Sequence, residues 1–150
     1  MEKLLEFAKR FTDENQFGKI IKIKRQYYLV SDEIDEVLKK INEQAFYAGV
    51  FLGEEGKEFI PSFNFLDILS ESSNKKIVVN SKGEWMFLCG KDVFSESIIK
   101  SESIMKRGDF VFVQNKENEC LGYGMIVDKG SVFVKNVMDK GDYLRREMRK

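Results

Sequence analysis

The last third of the chain carries three apolar runs, "GDFVFVQN", "CLGYGMIV" and "SVFVKNVM", separated only by "KENE" and "DKG". Short runs of β-branched and aromatic residues divided by turn residues predict strands that fold back on their neighbours, as in a small barrel or sandwich. Upstream, "KIVVN" reads as a further strand. In "SKGEWMFLCG", Ser81 and Glu84 stand three residues apart ahead of Gly90, the pattern of a short helix opened by a capping box and closed by glycine. The "GYG" at Gly122–Gly124 lacks the strand-then-helix setting and third glycine of a nucleotide loop, so these glycines are expected to relieve crowding in a bent strand.

The first half has a different texture. "EKLLEFAKRF" sets Leu4, Ala8 and Phe11, with Phe7 beside them, at helical spacing. "KIIKIKRQYYLV" predicts two short strands turning near Arg25–Gln26. "SDEIDEVLKKINEQA" predicts a helix capped by Ser31, with Asp32 and Glu33 at its positive end and Lys39 and Lys40 towards the other. Ile34, Val37, Leu38, Ile41 and Ala45 form its apolar stripe. "YAGVFLG" and "EFIPSF" read as strands around a Gly53–Lys57 turn, with Pro61 at an edge or strand end. "NFLDIL" starts a short helix. The polar stretch "SESSNKK", residues 70–76, marks the boundary between two small domains, 1–73 and 74–150.

Composition narrows the chemistry. With 43% apolar residues and 13 Phe, a disordered chain is excluded. There is no histidine, hence no imidazole base, no Ser-His or Cys-His pair and no His-ligated zinc. Cys89 and Cys120 cannot complete a tetrathiolate site, and they read as buried thiols. No apolar run approaches a membrane span, and "MEKLLEFAKRF", with Glu2 and Glu6, does not read as a signal peptide, so the cytoplasm is the expected compartment.

The zero net charge conceals an asymmetry. Residues 1–75 hold 11 basic against 14 acidic side chains, and residues 76–150 hold 14 against 11. Residues 140–150 alone carry five basic and two acidic groups. Such a tail is either a solvated terminus or an attractor of phosphates. Lys135, set in "VFVKNVM", shares a strand face with Phe133 and Val137. Its charge must therefore snorkel or meet a partner, either a phosphate or one of Asp128 and Asp139. Trp85 reads as core rather than as a base-stacking platform. Lys22, Lys24 and Arg25 read as a solvated strand face. The two "SES" tripeptides, Ser95–Ser97 and Ser101–Ser103, have no partner base and read as caps or turns.

The order of elements in the second half resembles a PUA domain, the pseudo-barrel named for pseudouridine synthase and archaeosine transglycosylase. The likeness rests on the helix ending in Gly90-Lys91-Asp92-Val93, the Gly108-Asp109 that opens a central strand, and the "LGYG" strand before the last hairpin. With "FYAGVFLG…FIPSFNFLDIL" and "NVMDKGDYLRRE", nearly the whole chain is similar to the NIP-seven family of ribosome-biogenesis factors, in an archaeal-type form. The resemblance implies an α+β chain: an N-terminal α/β pre-PUA domain followed by a C-terminal PUA-type β pseudo-barrel. It implies no catalytic activity, no cofactor and no metal. It also implies binding of ribosomal RNA or pre-rRNA through the PUA half, and docking of other assembly factors by the N-terminal half. Carried over residue by residue, the RNA contacts are Lys82, Lys91, Lys129, Lys135, Arg145 and Arg146. One departure is that Ser131, Val132 and Met138 surround Lys135 where archaeal relatives carry a denser basic ribbon. The rival expectation is a protein–protein adaptor without direct RNA binding. An RNA-modifying enzyme ranks lower, because the first half has no glycine-rich cofactor loop.

Overall fold

The computed structural model describes residues 1–13, 17–31, 36, 49–102 and 104–148. Two compact units divide the chain, Met1–Ser72 and Ser73–Lys150. The helix expected over residues 31–45 lies almost wholly outside the described residues, as do Ser103, Arg149 and Lys150.

In the first unit, α1 (Glu2–Ala8) precedes β1 (Lys19–Ile23), β2 (Gln26–Val30), β3 (Val50–Glu55), β4 (Phe59–Pro61) and α2 (Phe63–Ser72). The four strands form an antiparallel sheet in chain order, with Lys19 opposite Val30 and Gly53 opposite Pro61. Pro61 sits on the edge strand, where its missing N–H costs no ladder bond. Leu4, Phe7 and Ala8 of α1 are buried together with Phe59, Phe65, Leu66 and Leu69. Phe7 lies 5.5 to 6.3 Å, centroid to centroid, from Phe11, Phe59 and Phe65, in the tilted geometry aromatic pairs prefer. Helix α2 is capped by Ser62, whose hydroxyl accepts from the Phe65 amide at 3.1 Å.

The Lys22–Lys24–Arg25 cluster is balanced from within. The Lys22 ammonium donates to the Glu55 carboxylate, and Arg25 Nε donates to the Glu55 carbonyl at 2.8 Å, with Glu54 at 3.9 Å. Lys22 and Arg25 thus meet acceptors on β3. The 70–76 stretch, for all its polarity, buries Ser70 and Ser73, and the Ser73 hydroxyl accepts from the Lys75 amide.

The second unit runs β5 (Lys76–Val79), α3 (Ser81–Leu88), β6 (Val93–Phe94), a 3-10 turn at Ser95–Ser97, β7 (Ile98–Ser101), β8 (Phe110–Gln114), β9 (Cys120–Lys129), β10 (Val132–Asp139) and α4 (Lys140–Met148). Six strands form one curled sheet in the order β6-β10-β9-β8-β5-β7, antiparallel except for β5 beside β8. Ile77, Val79, Val93, Val111, Val113, Leu121, Ile126 and Val134 meet Phe87 of α3 in the core. The curl depends on Gly122 and Gly124. A Cβ at either would lie 2.0 Å from the Met138 carbonyl oxygen or 2.3 Å from that of Lys135, so β9 and β10 could not approach as they do.

Three local expectations are corrected. Asn80, not Ser81, caps α3: its backbone is extended and its Oδ1 accepts from the Gly83 amide at 2.8 Å, while Ser81 already lies in the first turn. Cys89 is exposed, because it follows the last turn of α3, whereas Cys120 is buried. Trp85 is 69% exposed rather than core, because Gly83 and Phe87 take the inward face of the helix. At Gly83 a Cβ would meet the Ser97 and Val79 Cβ atoms at 2.8 and 3.0 Å, so this approach sets the helix's rotation.

Candidate nucleic-acid interface

Helix α3 and strand β10 position the sequence-derived lysines. Lys82 lies in the first turn of α3 and Lys91 just beyond its end, with about 9 Å of helix from Lys82 to Leu88 at 1.5 Å per residue. The helix closes in a Schellman motif: Gly90 adopts φ 87°, its amide donates to Phe87, and the Lys91 amide donates to Met86, each at 3.0 Å. That turn directs the chain into β6, beside β10.

Asn136 fastens β10 to this turn. Its backbone amide donates to Asp92 Oδ1 at 2.9 Å, and its Nδ2 lies 3.0 Å from the Phe87 carbonyl and 3.2 Å from that of Lys91. Lys91 and Lys135, distant in sequence, are thus held on adjoining segments. Lys135 itself is exposed and pairs in register with Met125 of β9. Irregularities between Val132 and Val134 and between Asn136 and Met138 break simple alternation, so Phe133 packs against the core while Lys135 faces solvent. Lys129 is exposed at the end of β9, where the hairpin turns into β10.

Among the described residues, Lys82, Lys91, Lys129 and Lys135 hold no ion pair. Neither Asp128 nor Asp139 serves as the partner considered for Lys135. The four ammonium groups remain available to an external anion.

Arg145 is differently placed. Its Nη1 donates to the Leu88 carbonyl at 2.5 Å, and its Nη2 lies 3.5 Å from Asp139 and 3.8 Å from Asp142. Asp139 is 3% exposed and also accepts from the Asp142 amide at 2.7 Å, capping α4. Gly141 permits this docking, since a Cβ there would fall 1.7 Å from the Leu88 oxygen. Arg145 therefore ties α4 to the carbonyl end of α3, where a cation also suits the helix dipole. Arg146 lies in α4, and its side chain is outside what is described.

Two groups were missed from the sequence. Trp85 is exposed on the solvent side of α3, three residues after Lys82; the helical spacing of Lys82, Trp85 and Cys89 opposite Gly83 and Phe87 was a usable signal. Arg107 donates through Nη2 to the Asp128 carbonyl at 2.9 Å, which adds a guanidinium beside the β9–β10 hairpin. That contact spans 21 residues and leaves no local trace. Among the described residues no group of His, Cys, Asp or Glu could hold a metal, and no helix is long and apolar enough to cross a membrane.

Residues 75–148 match the UPF0113 PUA domain. A UPF0113 protein of Archaeoglobus fulgidus is 34% identical over 133 residues, spanning 83% of this chain and 75% of that one. Among solved structures, a conserved PUA domain protein from Thermoplasma acidophilum aligns with a TM-score of 0.60 at 18% identity, over 97% of this chain and 92% of that one. A hypothetical protein from the hyperthermophilic archaeon Pyrococcus horikoshii aligns with a TM-score of 0.55 at 19% identity over the same shares. At such identities the structures establish the α+β fold with its curled sheet. The closer Archaeoglobus sequence establishes kinship, and this chain belongs to the UPF0113 family, with a PUA domain as its second unit.

Proposed function

We propose that this chain is a non-enzymatic, cytoplasmic RNA-binding factor that acts in biogenesis of the large ribosomal subunit, as the NIP-seven resemblance implies. Its PUA unit binds ribosomal RNA or pre-rRNA, and its N-terminal unit docks other assembly factors. One observation carries the reading: Lys82, Lys91, Lys129 and Lys135 are exposed without ion-pair partners among the described residues, while Arg145 and Lys22 are spent on internal pairs. Unpaired cations on a PUA domain, a generally RNA-binding fold, suit a phosphate backbone, whose neutralisation releases counterions. Three to four such contacts give modest, salt-sensitive affinity, so discrimination has to come from bases in unpaired RNA.

The test is a salt titration of binding to ribosomal RNA fragments by the pure protein and by the Lys82→Glu, Lys91→Glu, Lys135→Glu triple variant. The variant should bind at least about tenfold more weakly, with a shallower salt dependence and an unchanged thermal midpoint. Arg145→Glu is a poor probe, because it breaks the α3–α4 contact as well. Equal binding by both proteins removes the electrostatic site. Assembly factors recovered equally after nuclease treatment, with no RNA bound by the pure protein, would establish the adaptor instead.

A further inference from the structure

Helix α3 carries two side chains that its own stability does not account for. Trp85, the chain's one tryptophan, is 69% exposed, so most of its large apolar surface gains nothing from folding. Lys82 occupies the first turn, where the positive end of the helix dipole disfavours a cation. The two stand at i and i+3, neighbours on one helical face, about 5–6 Å apart at their Cβ atoms. The rest of the helix is tightly held: Asn80 caps it, Gly83 and Phe87 pack inward, and Glu84 accepts from Asn115 Nδ2 at 3.2 Å. The exposed pair is therefore presented by a rigid support.

We propose that Trp85 is a stacking platform for an unpaired nucleobase, with Lys82 holding an adjoining phosphate of the same strand. The assignment rests on the RNA-binding reading above and deepens it. A flat indole exposed beside a cation matches the two chemistries of a single-stranded nucleic acid, a π-face and an anionic link. An RNA duplex, whose bases are already stacked, would engage Lys82 alone.

Because the chain has a single tryptophan, its indole emission reports on this position alone. The full-length protein is titrated with an end-labelled single-stranded RNA oligonucleotide, with an abasic oligonucleotide of equal length, and with a duplex. Anisotropy follows binding, and indole emission follows stacking. The single strand should quench Trp85 with the same midpoint as the anisotropy change, while the abasic strand and the duplex bind without quenching. Trp85→Ala should weaken single-strand binding about five- to 150-fold, and Trp85→Phe should retain most of it. Both variants should keep the wild-type thermal midpoint, since the side chain is exposed. If wild-type protein binds the single strand but Trp85→Ala binds equally well, or the abasic strand quenches equally, the stacking platform falls and the phosphate-binding reading stands. If the wild-type protein binds none of the three, both fall together.

Discussion

The guanidinium of Arg145 reaches back six residues to the carboxylate of Asp139, Nη2 to Oδ1 at 3.5 Å, while its Nη1 meets the carbonyl that ends α3. One side chain thus pairs a buried acid and satisfies a helix terminus at once. Arg145→Met leaves Asp139 buried without its cation and the Leu88 carbonyl without its donor. The expected cost is about 1–3 kcal/mol in urea unfolding. Arg145→Lys should recover only part of it, because an ammonium lacks the fork that spans both acceptors. An unchanged midpoint in Arg145→Met would show the contact to be dispensable.

Gly141 tests the same junction from the backbone side. Gly141→Ala puts a methyl where the Leu88 oxygen lies, so α4 must shift away from α3. The substitution should destabilise the second unit by about 1–3 kcal/mol despite the high helix propensity of alanine. A neutral or stabilising result would mean that α4 is not docked as described.

The hairpin cations should contribute to RNA affinity. Lys129→Ala and Arg107→Ala together should lower the salt-dependence slope for single-stranded RNA by up to about 1.4, at about 0.7 per lost phosphate contact. A titration series over several salt concentrations reads this directly. A slope equal to the wild type's would exclude the hairpin from the interface.

The Lys22–Glu55 pair predicts a pH profile. The hydrogen bond from Lys22 holds the Glu55 carboxyl below its ordinary value of 4.5. The hydrogen bond to Glu55 raises Lys22 above 10.5. A lowered carboxylate pKa adds stability above the unfolded value, lost as pH falls through the folded one; a raised lysine pKa adds stability below 10.5, lost as pH rises through the folded one. The thermal midpoint of the wild type should therefore exceed that of Glu55→Gln by a small, constant margin between about pH 5 and 9. The margin should shrink at both extremes and in 1 M salt, as expected of an exposed pair. A margin that persisted at pH 2 would rule out the pair as its source.

The two cysteines should differ in reactivity. Under native conditions a thiol reagent should modify Cys89 only, one equivalent per chain, because Cys120 is buried. The second equivalent should appear on unfolding. Rapid native modification of both would contradict the placement of Cys120 at the start of β9.

Strands β5, β8, β9 and β10, the short helix before "GKDVF", the Gly122 and Gly124 approach and Pro61 on an edge strand followed from the sequence, whereas β6 and β7, formed within the serine-rich connector, did not. Alternation, turn residues and missing side chains act over a few positions, so neighbouring residues suffice to reveal them. The candidate lysines were nominated only through the resemblance carried by the order of those elements. What separates an available cation from an occupied one is set by contacts far along the chain. Arg145 meets Leu88 across 57 positions, and Asn136 meets Asp92 across 44. Trp85 faces solvent only because Gly83 must lie against Val79 and Ser97, and that close approach turns the helix. Local patterning decides which elements form. Tertiary packing decides which of their side chains remain for a ligand, because burial and pairing are properties of the assembled fold.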